Sequence, residues 1–263
     1  MYANFLLAFG AAALTYGYAD IFGAPNKSIV FWLVFNATLF IYNAQRLFRY
    51  KSLKAETLSY RQTWLVEHRK YIILITLFSG AISFVLIMQF YFSLYTFLVL
   101  GFAGALGGFY AFKFKHFGFP LRDIPYMKIH FIALSWTLTV VLWPAIIGET
   151  TIIQVFPYFF GNYFIFMALI IPFDIRDLDV DEQEKKTIPQ IFGVLGAKML
   201  AIMFAVLSGI IFYTCQSFSL FRLIMLITPL ILLIIFTQKQ AKEWYFSVLL
   251  DAWILFYAIN LYF

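Results

Sequence analysis

Residues 152–184 read IIQVFPYFFGNYFIFMALIIPFDIRDLDVDEQE, an uncharged apolar run that turns acidic after Phe173. The apolar part is long enough to cross a bilayer core about 30 Å thick as one helix. The segment that follows, residues 174–184, holds six of the 13 acidic residues in the chain. This stretch therefore predicts a membrane helix that carries a dense group of carboxylates to one membrane surface.

Eight further apolar runs of similar length lie along the chain. With 63% hydrophobic and 12% charged residues, the composition is far from that of soluble proteins, which are roughly half apolar and a quarter charged. We therefore predict an all-α, polytopic membrane protein with nine transmembrane helices, forming a single integral membrane domain over residues 1–263. The first run lacks a basic n-region and a cleavage site, so we expect it to be a retained helix. The predicted spans are Tyr2–Phe22, Ser28–Phe48, Tyr71–Tyr91, Leu94–Phe112, Tyr126–Ile147, Ile152–Phe173, Ile191–Thr214, Phe221–Thr237 and Phe246–Phe263.

The basic residues predict the orientation of these spans. Of the 19 Lys and Arg residues, 17 fall on the side of the loops after spans two, four, six and eight, and only Lys27 and Arg222 fall on the other. The positive-inside rule then places the N-terminus in the cytoplasm and the C-terminus outside, and we expect a bacterial inner membrane. Because orientation accounts for the net charge of +6, we predict membrane lipid rather than nucleic acid as the surroundings.

Three aspartates of the acidic segment share a spacing that suits a metal ion. On a continuing helix, Asp174, Asp177 and Asp181 would stand at i, i+3 and i+7 on one face, where like charges repel. A cation removes this repulsion, and hard Mg²⁺ accepts carboxylate oxygens together with phosphate oxygens. A solvated acidic loop is the alternative. An EF-hand is excluded, because Glu182 replaces its glycine and Ile188 its bidentate glutamate.

Two parts of the sequence resemble motifs of the UbiA superfamily of intramembrane prenyltransferases. One resembles the second aspartate-rich motif of that family and reads Asp174-x-x-Asp177-x-x-x-Asp181, then Lys185-Lys186-Thr187-Ile188-Pro189 and Gly193. The other resembles the family's loop after the fourth helix and reads Tyr110-x-x-Lys113, then Leu121-Arg122-x-Ile124-Pro125-x-x-Lys128.

This resemblance implies a helical bundle around a central cavity, in which Mg²⁺ on two Asp-rich motifs binds an isoprenyl diphosphate. Ionisation of the diphosphate would give an allylic cation, captured by a lipophilic acceptor such as an aromatic or quinone precursor. It also implies that Asp174, Asp177 and Asp181 are the catalytic, metal-binding residues. Candidate ligands of the diphosphate are Asn43, Arg46, Arg49, Lys113, Arg122, Lys128, Arg176 and Lys185. For the cations among them, the positive-inside rule is an alternative explanation.

The family's first motif, Asn-Asp-x-x-Asp-x-x-x-Asp, is not preserved. The corresponding residues 43–51 read NAQRLFRYK, without a carboxylate, and the nearest acid is Glu56. Two hypotheses follow. Either Arg46 and Arg49 clamp diphosphate oxygens directly, as guanidinium groups can, or the protein no longer performs prenyl transfer.

Other polar and small residues within the spans allow two explanations each. Asn36, Asn43 and Asn162 should face protein or a polar cavity rather than lipid, through helix–helix hydrogen bonds or ligand binding. Asp251, an acid well inside a span, is a functional candidate unless it pairs with a neighbouring Lys or extends to the nearby membrane interface. The glycines at 101, 104, 107 and 108 predict a close approach of the fourth helix to a neighbour.

Three function classes remain open on the sequence. The leading hypothesis is a Mg²⁺-dependent UbiA-like prenyltransferase. The alternative is a non-catalytic relative that binds an isoprenoid or quinone or serves as an assembly partner. A transporter is the third, although the halves of the chain show no convincing repeat.

Overall fold

The computed structural model describes residues 4–50, 60–89, 93–111, 124, 127–178, 186–215 and 217–262. Every regular element in these ranges is a helix, which confirms the all-α prediction. The helices are α1 (Phe5–Ile21), α2 (Lys27–Tyr50), α3 (Tyr60–Glu67), α4 (Arg69–Gln89), α5 (Leu94–Ala111), α6 (Lys128–Ile147), α7 (Ile152–Arg176), α8 (Ile188–Thr214), α9 (Leu220–Phe236) and α10 (Tyr245–Asn260).

The helices are apolar enough for a membrane protein. Helices α2, α4, α6, α7 and α8 are long and apolar enough to cross a bilayer. Helices α1, α5, α9 and α10 contain shorter apolar segments that coincide with the remaining predicted spans. The chain is therefore an integral membrane helical protein, and crossing by the four shorter helices stays a prediction.

The long helices pack in an order that follows the chain. Helix α1 contacts α2 and α10, and from α10 the contacts run through α9, α8, α7 and α6 to α5. Helix α4 packs against α2, and α5 completes the arrangement with a smaller contact to α2. The middle of α6 also touches α1, so α6 reaches across the bundle. The largest buried side chains, including Trp143, Phe212 and Phe246, fill the space between these helices.

Two helices contain a π-helical turn, in which each N–H bonds to the carbonyl five residues earlier. In α6 this turn covers Leu138–Leu142 and ends two residues before Pro144, which lacks the N–H that a regular helix would use there. In α10 it covers Tyr245–Leu250, directly before Asp251. A π turn accommodates one more residue than an α turn, so it changes which side chains face a neighbouring helix.

The start of α8 is bent at Gly193. This residue has φ +68° and ψ 174°, a conformation that side chains with a Cβ rarely adopt. Before the bend, the backbone N–H of Thr187 donates to Gln190 Oε1 at 2.8 Å, which secures the first turn. The segment after the acidic run therefore enters the membrane helix through a capped turn and a glycine bend.

A buried polar cluster joins α1, α7 and α10, from the middle of α7 to the last turns of α1 and α10 at the end of the bundle opposite the acidic segment. The hydroxyls of Tyr18 and Tyr257 lie 2.6 Å apart, and Asn162 Nδ2 donates to Tyr18 at 2.6 Å. Asn162 Oδ1 accepts from the Tyr257 hydroxyl at 3.1 Å. Since all three side chains are fully buried, this cluster explains Asn162 as a helix–helix contact.

Two surface cavities open at that same end of the bundle. One, of about 1050 Å³, lies beside the turns around Gly148 and Ser217. The other, of about 470 Å³, is an apolar groove between α1, α2 and α10. The central cavity that the family resemblance implies is neither of these, and it stays a prediction.

Candidate functional site

The acidic segment begins inside helix α7. The helix continues past Phe173 and ends at Arg176, and Asp177 is the residue that follows its last turn. Asp174 is buried, with 2% of its surface exposed, whereas the Asp177 side chain is partly exposed. The expected helical spacing thus holds as far as Asp177, and Asp181 lies outside the described residues.

Asp174 forms an ion pair with Lys128. The distance from Lys128 Nζ to Asp174 Oδ1 is 2.6 Å, and the two side chains are 15% and 3% exposed. Lys128 is the first residue of α6, so the pair joins the beginning of α6 to the end of α7. A carboxylate this deeply buried requires a compensating charge, and Lys128 provides it.

Asp177 is held by the guanidinium group of Arg176. Arg176 Nε and Nη2 donate to the two carboxylate oxygens of Asp177 at 2.8 and 3.1 Å. The guanidinium carbon of Arg176 lies 5.3 Å from the ring centre of Phe173 and 5.2 Å from that of Phe246. Bidentate bonding and two aromatic faces together fix the position of this cation.

Two acidic residues from the end of the chain complete the surroundings of Arg176. Glu243 Oε2 lies 4.0 Å from Arg176 Nη1, and Asp251 interacts with the same guanidinium electrostatically. Neither Glu243 nor Phe246 was a candidate from the sequence. The sequence indicated only that the loop at 238–243, which ends at Glu243 and lies close to Phe246 in sequence, lies on the same membrane face as the acidic segment. The cation near Asp251 is Arg176, whereas the sequence suggested a neighbouring Lys.

The remaining candidates are placed as follows. Asn43 is fully buried on α2, and its Oδ1 accepts a hydrogen bond from Asn4 Nδ2 at 2.9 Å. This bond joins the residue before α1 to α2, and substrate binding by Asn43 stays a prediction. Arg46 is half-buried on the same helix, and Arg49 lies one turn further, with its side chain outside the description. The other candidates outside the described residues are Lys113, Arg122, Asp181 and Lys185.

Aromatic and polar side chains line the contact between α6 and its neighbours, beyond Lys128. His130 Nδ1 lies 2.6 Å from the Tyr163 hydroxyl, although the sequence suggested no role for this histidine. Trp136 donates from Nε1 to the Tyr42 hydroxyl at 2.9 Å, and its ring lies 5.2 Å from that of Phe166. These rings could shield a cationic or apolar group that sits further into the bundle than Asp174.

The carboxylate oxygens at the end of α7 are of the kind that binds Mg²⁺, but they are too few to form a complete coordination shell. Asp174 and Asp177 offer the hard oxygen ligands that Mg²⁺ prefers, and phosphate oxygens commonly complete its shell. Within the described ranges, no three His, Cys, Asp or Glu residues gather closely enough to hold a metal ion. Lys128 and Arg176 lie beside the same two carboxylates, so each of these carboxylates is paired with a cation.

Comparison of the whole chain with known proteins gives a result at the level of the fold. No protein-family profile and no curated protein sequence matches the chain. The chain is similar to a structure described as a UbiA homolog from Archaeoglobus fulgidus bound to GPP and Mg²⁺. The TM-score is 0.63, the sequence identity is 15%, and the match covers 99% of this chain and 98% of that one.

A second structure, of a UbiA homolog from the same organism bound to DMAPP and Mg²⁺, gives a TM-score of 0.60 at 14% identity. It covers the same shares of both chains. At this identity the likeness shows a UbiA-like fold. The coverage shows that the fold extends over the full length of both chains.

Proposed function

We propose that the protein is a Mg²⁺-dependent prenyltransferase that moves an isoprenyl group from an isoprenyl diphosphate to an aromatic, quinone-precursor or related lipophilic acceptor. The fold is shared with homologs whose structures contain GPP or DMAPP together with Mg²⁺. Four of the residues expected to bind such a ligand, Asp174, Asp177, Lys128 and Arg176, form two ion pairs at the C-terminal end of α7.

The observation that carries this proposal is the pairing of both described motif carboxylates with cations. Lys128 with Asp174 and Arg176 with Asp177 bring anionic and cationic groups within 3.1 Å of one another at one helix end. A diphosphate with its metal presents the complementary set of charges. The carboxylates would hold Mg²⁺, and the cations would bind the phosphate oxygens that gain charge as the carbon–oxygen bond breaks.

Because the segment that corresponds to the family's first motif lacks carboxylates, this proposal gives protein cations an additional role in binding the diphosphate. Arg46 and Arg49 follow Asn43 on α2, in a segment where Ala44, Leu47 and Lys51 stand at the three positions that are Asp in the family's motif. These two arginines would neutralise diphosphate oxygens that a second metal-binding motif would otherwise neutralise through Mg²⁺.

The candidates outside the described residues, Lys113, Arg122, Asp181 and Lys185, are proposed to complete the same site.

We propose a bacterial inner membrane as the location, with nine spans, the N-terminus in the cytoplasm and the C-terminus outside. The contact between Arg176 and Glu243 supports this topology, because it joins the C-terminal end of α7 to the residues just before α10, which the nine-span arrangement places on one face. The substrate diphosphate would then be drawn from the cytoplasm and the acceptor from the membrane.

One observation favours a second candidate function, a non-catalytic isoprenoid- or quinone-binding protein. Residues 43–51 contain no carboxylate, and the two described carboxylates at α7 are already neutralised by cations. A site of this kind could retain an isoprenoid ligand without the metal ions that assist its ionisation.

A turnover assay separates these two functions. The purified full-length protein, in liposomes made from membrane lipid extract, would receive Mg²⁺ and radiolabelled DMAPP or GPP. For a prenyltransferase, we expect label to pass into a lipid-extractable product only when Mg²⁺ is present. Because Asp174 would hold the metal, the Asp174→Asn variant should lose at least about 100-fold in rate, in line with the loss of transition-state charge stabilisation.

Thermal stability provides the control for binding. If the wild type is stabilised by GPP with Mg²⁺ and yet shows no transfer and no release of diphosphate, the non-catalytic function is the correct one. An absence of both stabilisation and turnover would refute binding of isoprenyl diphosphates altogether.

A further inference from the structure

The apolar groove between α1, α2 and α10 ends at a pair of opposite charges. The groove has a volume of about 470 Å³, and the rings of Tyr16, Trp32 and Tyr262 form part of its lining. Lys27 forms an ion pair with Asp20, and the Lys27 ammonium lies 6.0 Å from the centre of the Tyr16 ring. The groove therefore has an apolar length and a polar end that carries one cation and one anion.

The polar end lies at helix ends, where a membrane surface is expected. Asp20 precedes the last residue of α1, Lys27 begins α2, and Tyr262 lies just beyond α10. From there the groove extends along α1 as far as Ala13, seven residues before Asp20. At a rise of about 1.5 Å per residue this is about 10 Å, or roughly two thirds of one leaflet of a hydrocarbon core about 30 Å thick. The groove thus has the position and the depth that suit the upper part of a lipid acyl chain.

The groove lies on the outer surface of the bundle and does not lead inside. It includes Ala258, which is 2% exposed, whereas Trp32 and Ile259 are 52% and 48% exposed. A Cβ on Gly17 would lie 2.6 Å from Leu261 Cδ1, so α1 and the end of the chain are in direct contact there. In a bilayer the exposed side chains of the groove face lipid, and the groove is separate from the carboxylates at the end of α7.

The charged pair at the polar end is accessible to a ligand. The Lys27 and Asp20 side chains are 37% and 43% exposed, and an ion pair this exposed contributes little stability, so its members separate easily. A headgroup with a phosphate and a primary ammonium offers an anion to Lys27 and a cation with three N–H donors to Asp20. A purely anionic headgroup would satisfy Lys27 alone and would place its charge next to the Asp20 carboxylate. A choline headgroup has no N–H to donate to Asp20.

We propose that this groove binds a phospholipid with a phosphoethanolamine headgroup, whose phosphate binds Lys27, whose ammonium binds Asp20, and one of whose acyl chains lies along Trp32. Tyr16 and Tyr262 lie close enough to Lys27 to interact with it electrostatically, and their hydroxyls offer further donors for the phosphate. This binding site goes beyond the proposed function and does not depend on it.

Quenching by brominated lipids tests the site through Trp32. The full-length protein is reconstituted into phosphatidylcholine liposomes that contain a varied fraction of phosphatidylethanolamine, phosphatidylcholine or phosphatidylglycerol with brominated acyl chains. The Trp32 signal is the difference between wild type and Trp32→Phe, and both leaflets have the same composition, so the orientation of the protein does not matter. We expect phosphatidylethanolamine to bind at Trp32 about fivefold or more tightly than the other two lipids, because it alone matches both charges.

Charge variants separate recognition of the headgroup from general attraction to lipid. Asp20→Asn leaves Lys27 without its carboxylate, so the preference should pass from phosphatidylethanolamine to the anionic phosphatidylglycerol. Lys27→Gln should abolish the preference for phosphatidylethanolamine over phosphatidylcholine. Glu149→Gln is the matched control, because Glu149 is an exposed acid at the same end of the bundle that lines the other cavity. This control should keep the preference of the wild type.

Three results would overturn the proposal. The first is a wild-type Trp32 signal that the three lipids quench equally or that phosphatidylglycerol quenches most. The second is an Asp20→Asn variant that still prefers phosphatidylethanolamine. The third is the absence of any Trp32 signal, since the ring would then not contact acyl chains. Failure of the turnover assay would leave this proposal standing, because the groove and the carboxylates of α7 lie at opposite ends of the bundle.

Discussion

At the scale of single residues, burial determines which polar groups need partners. Asn162 lies on α7 with no exposed surface, and its amide binds two tyrosine hydroxyls from α1 and α10. Asn36 is also buried, but its amide donates to Trp32 O within its own helix at 2.8 Å. The first contact holds three helices together, whereas the second would survive in an isolated helix.

This difference predicts the effect of removing each amide. Asn162→Ala leaves two buried hydroxyls short of a partner and opens a small cavity, so the free energy of unfolding should fall by about 2–4 kcal/mol. Asn36→Ala should cost about 1 kcal/mol or less. Thermal unfolding of the two variants in detergent provides the measurement. Equal losses would mean that the cluster around Asn162 contributes no more than a local hydrogen bond.

The sequence predicted some features of these residues and could not predict others. It required Asn162 to face protein or a cavity, because an amide in lipid is costly, and this is confirmed. It could not identify Tyr18 as the partner, because 144 positions separate the two residues. The same limit applies to Lys128 and Asp174, which were each candidates but were not predicted to form a pair.

At the scale of helices, close packing depends on particular glycines. A Cβ placed on Gly161 would lie 2.4 Å from ring carbons of Phe212, which is fully buried on α8. A Cβ at Gly104 on α5 meets no described atom within 4 Å. The expected close approach at the glycines of α5 is therefore not seen at Gly104 among the described residues, and the tight contact occurs between α7 and α8.

A pair of alanine substitutions tests this assignment. Gly161→Ala should reduce the free energy of unfolding by about 1–3 kcal/mol, because the ring of Phe212 has no room to move. Gly104→Ala should be neutral or slightly stabilising, because alanine is the better helix former. Unfolding curves of both variants, measured in the same detergent, give the comparison. Tolerance of alanine at Gly161 would show that α7 and α8 are less tightly packed than the structure indicates.

Helix boundaries were predictable to within a few residues because apolar runs end where charges begin. The sixth span was expected to end at Phe173, and the helix continues to Arg176, since charged residues can extend a helix beyond the apolar core. The π turns at Leu138–Leu142 and Tyr245–Leu250 were not predicted. A π turn changes the backbone hydrogen bonds of a helix but not the apolar composition of its sequence. The apolar runs that predicted the spans therefore could not reveal these turns.

At the scale of the whole molecule, the order of the helices and the predicted orientation lead to one simple experiment. The chain has a single cysteine, Cys215, which is exposed at the end of α8, on the side predicted to face outward. Lys239, exposed beyond the end of α9, is predicted to face the cytoplasm.

We expect a membrane-impermeant maleimide to label wild-type protein in intact cells at Cys215. In a Cys215→Ser background, Lys239→Cys should be labelled only after the membrane is permeabilised. Quantitative labelling followed by gel shift measures both. The reverse pattern would overturn the predicted orientation, and labelling of both positions from one side would overturn the nine-span count.

The π turns affect how this chain can be compared with any other. Each turn holds one residue more than a regular helix would, and one residue corresponds to a rotation of about 100° around the helix axis. An alignment with a relative that lacks the turn therefore needs a single-residue gap inside a membrane helix. Without that gap, every position from Trp143 to Ile147, or from Asp251 to Asn260, would be equated with a residue on the wrong face. Searches for counterparts of Asp251 in distant homologs should therefore align helices α6 and α10 in two separate halves.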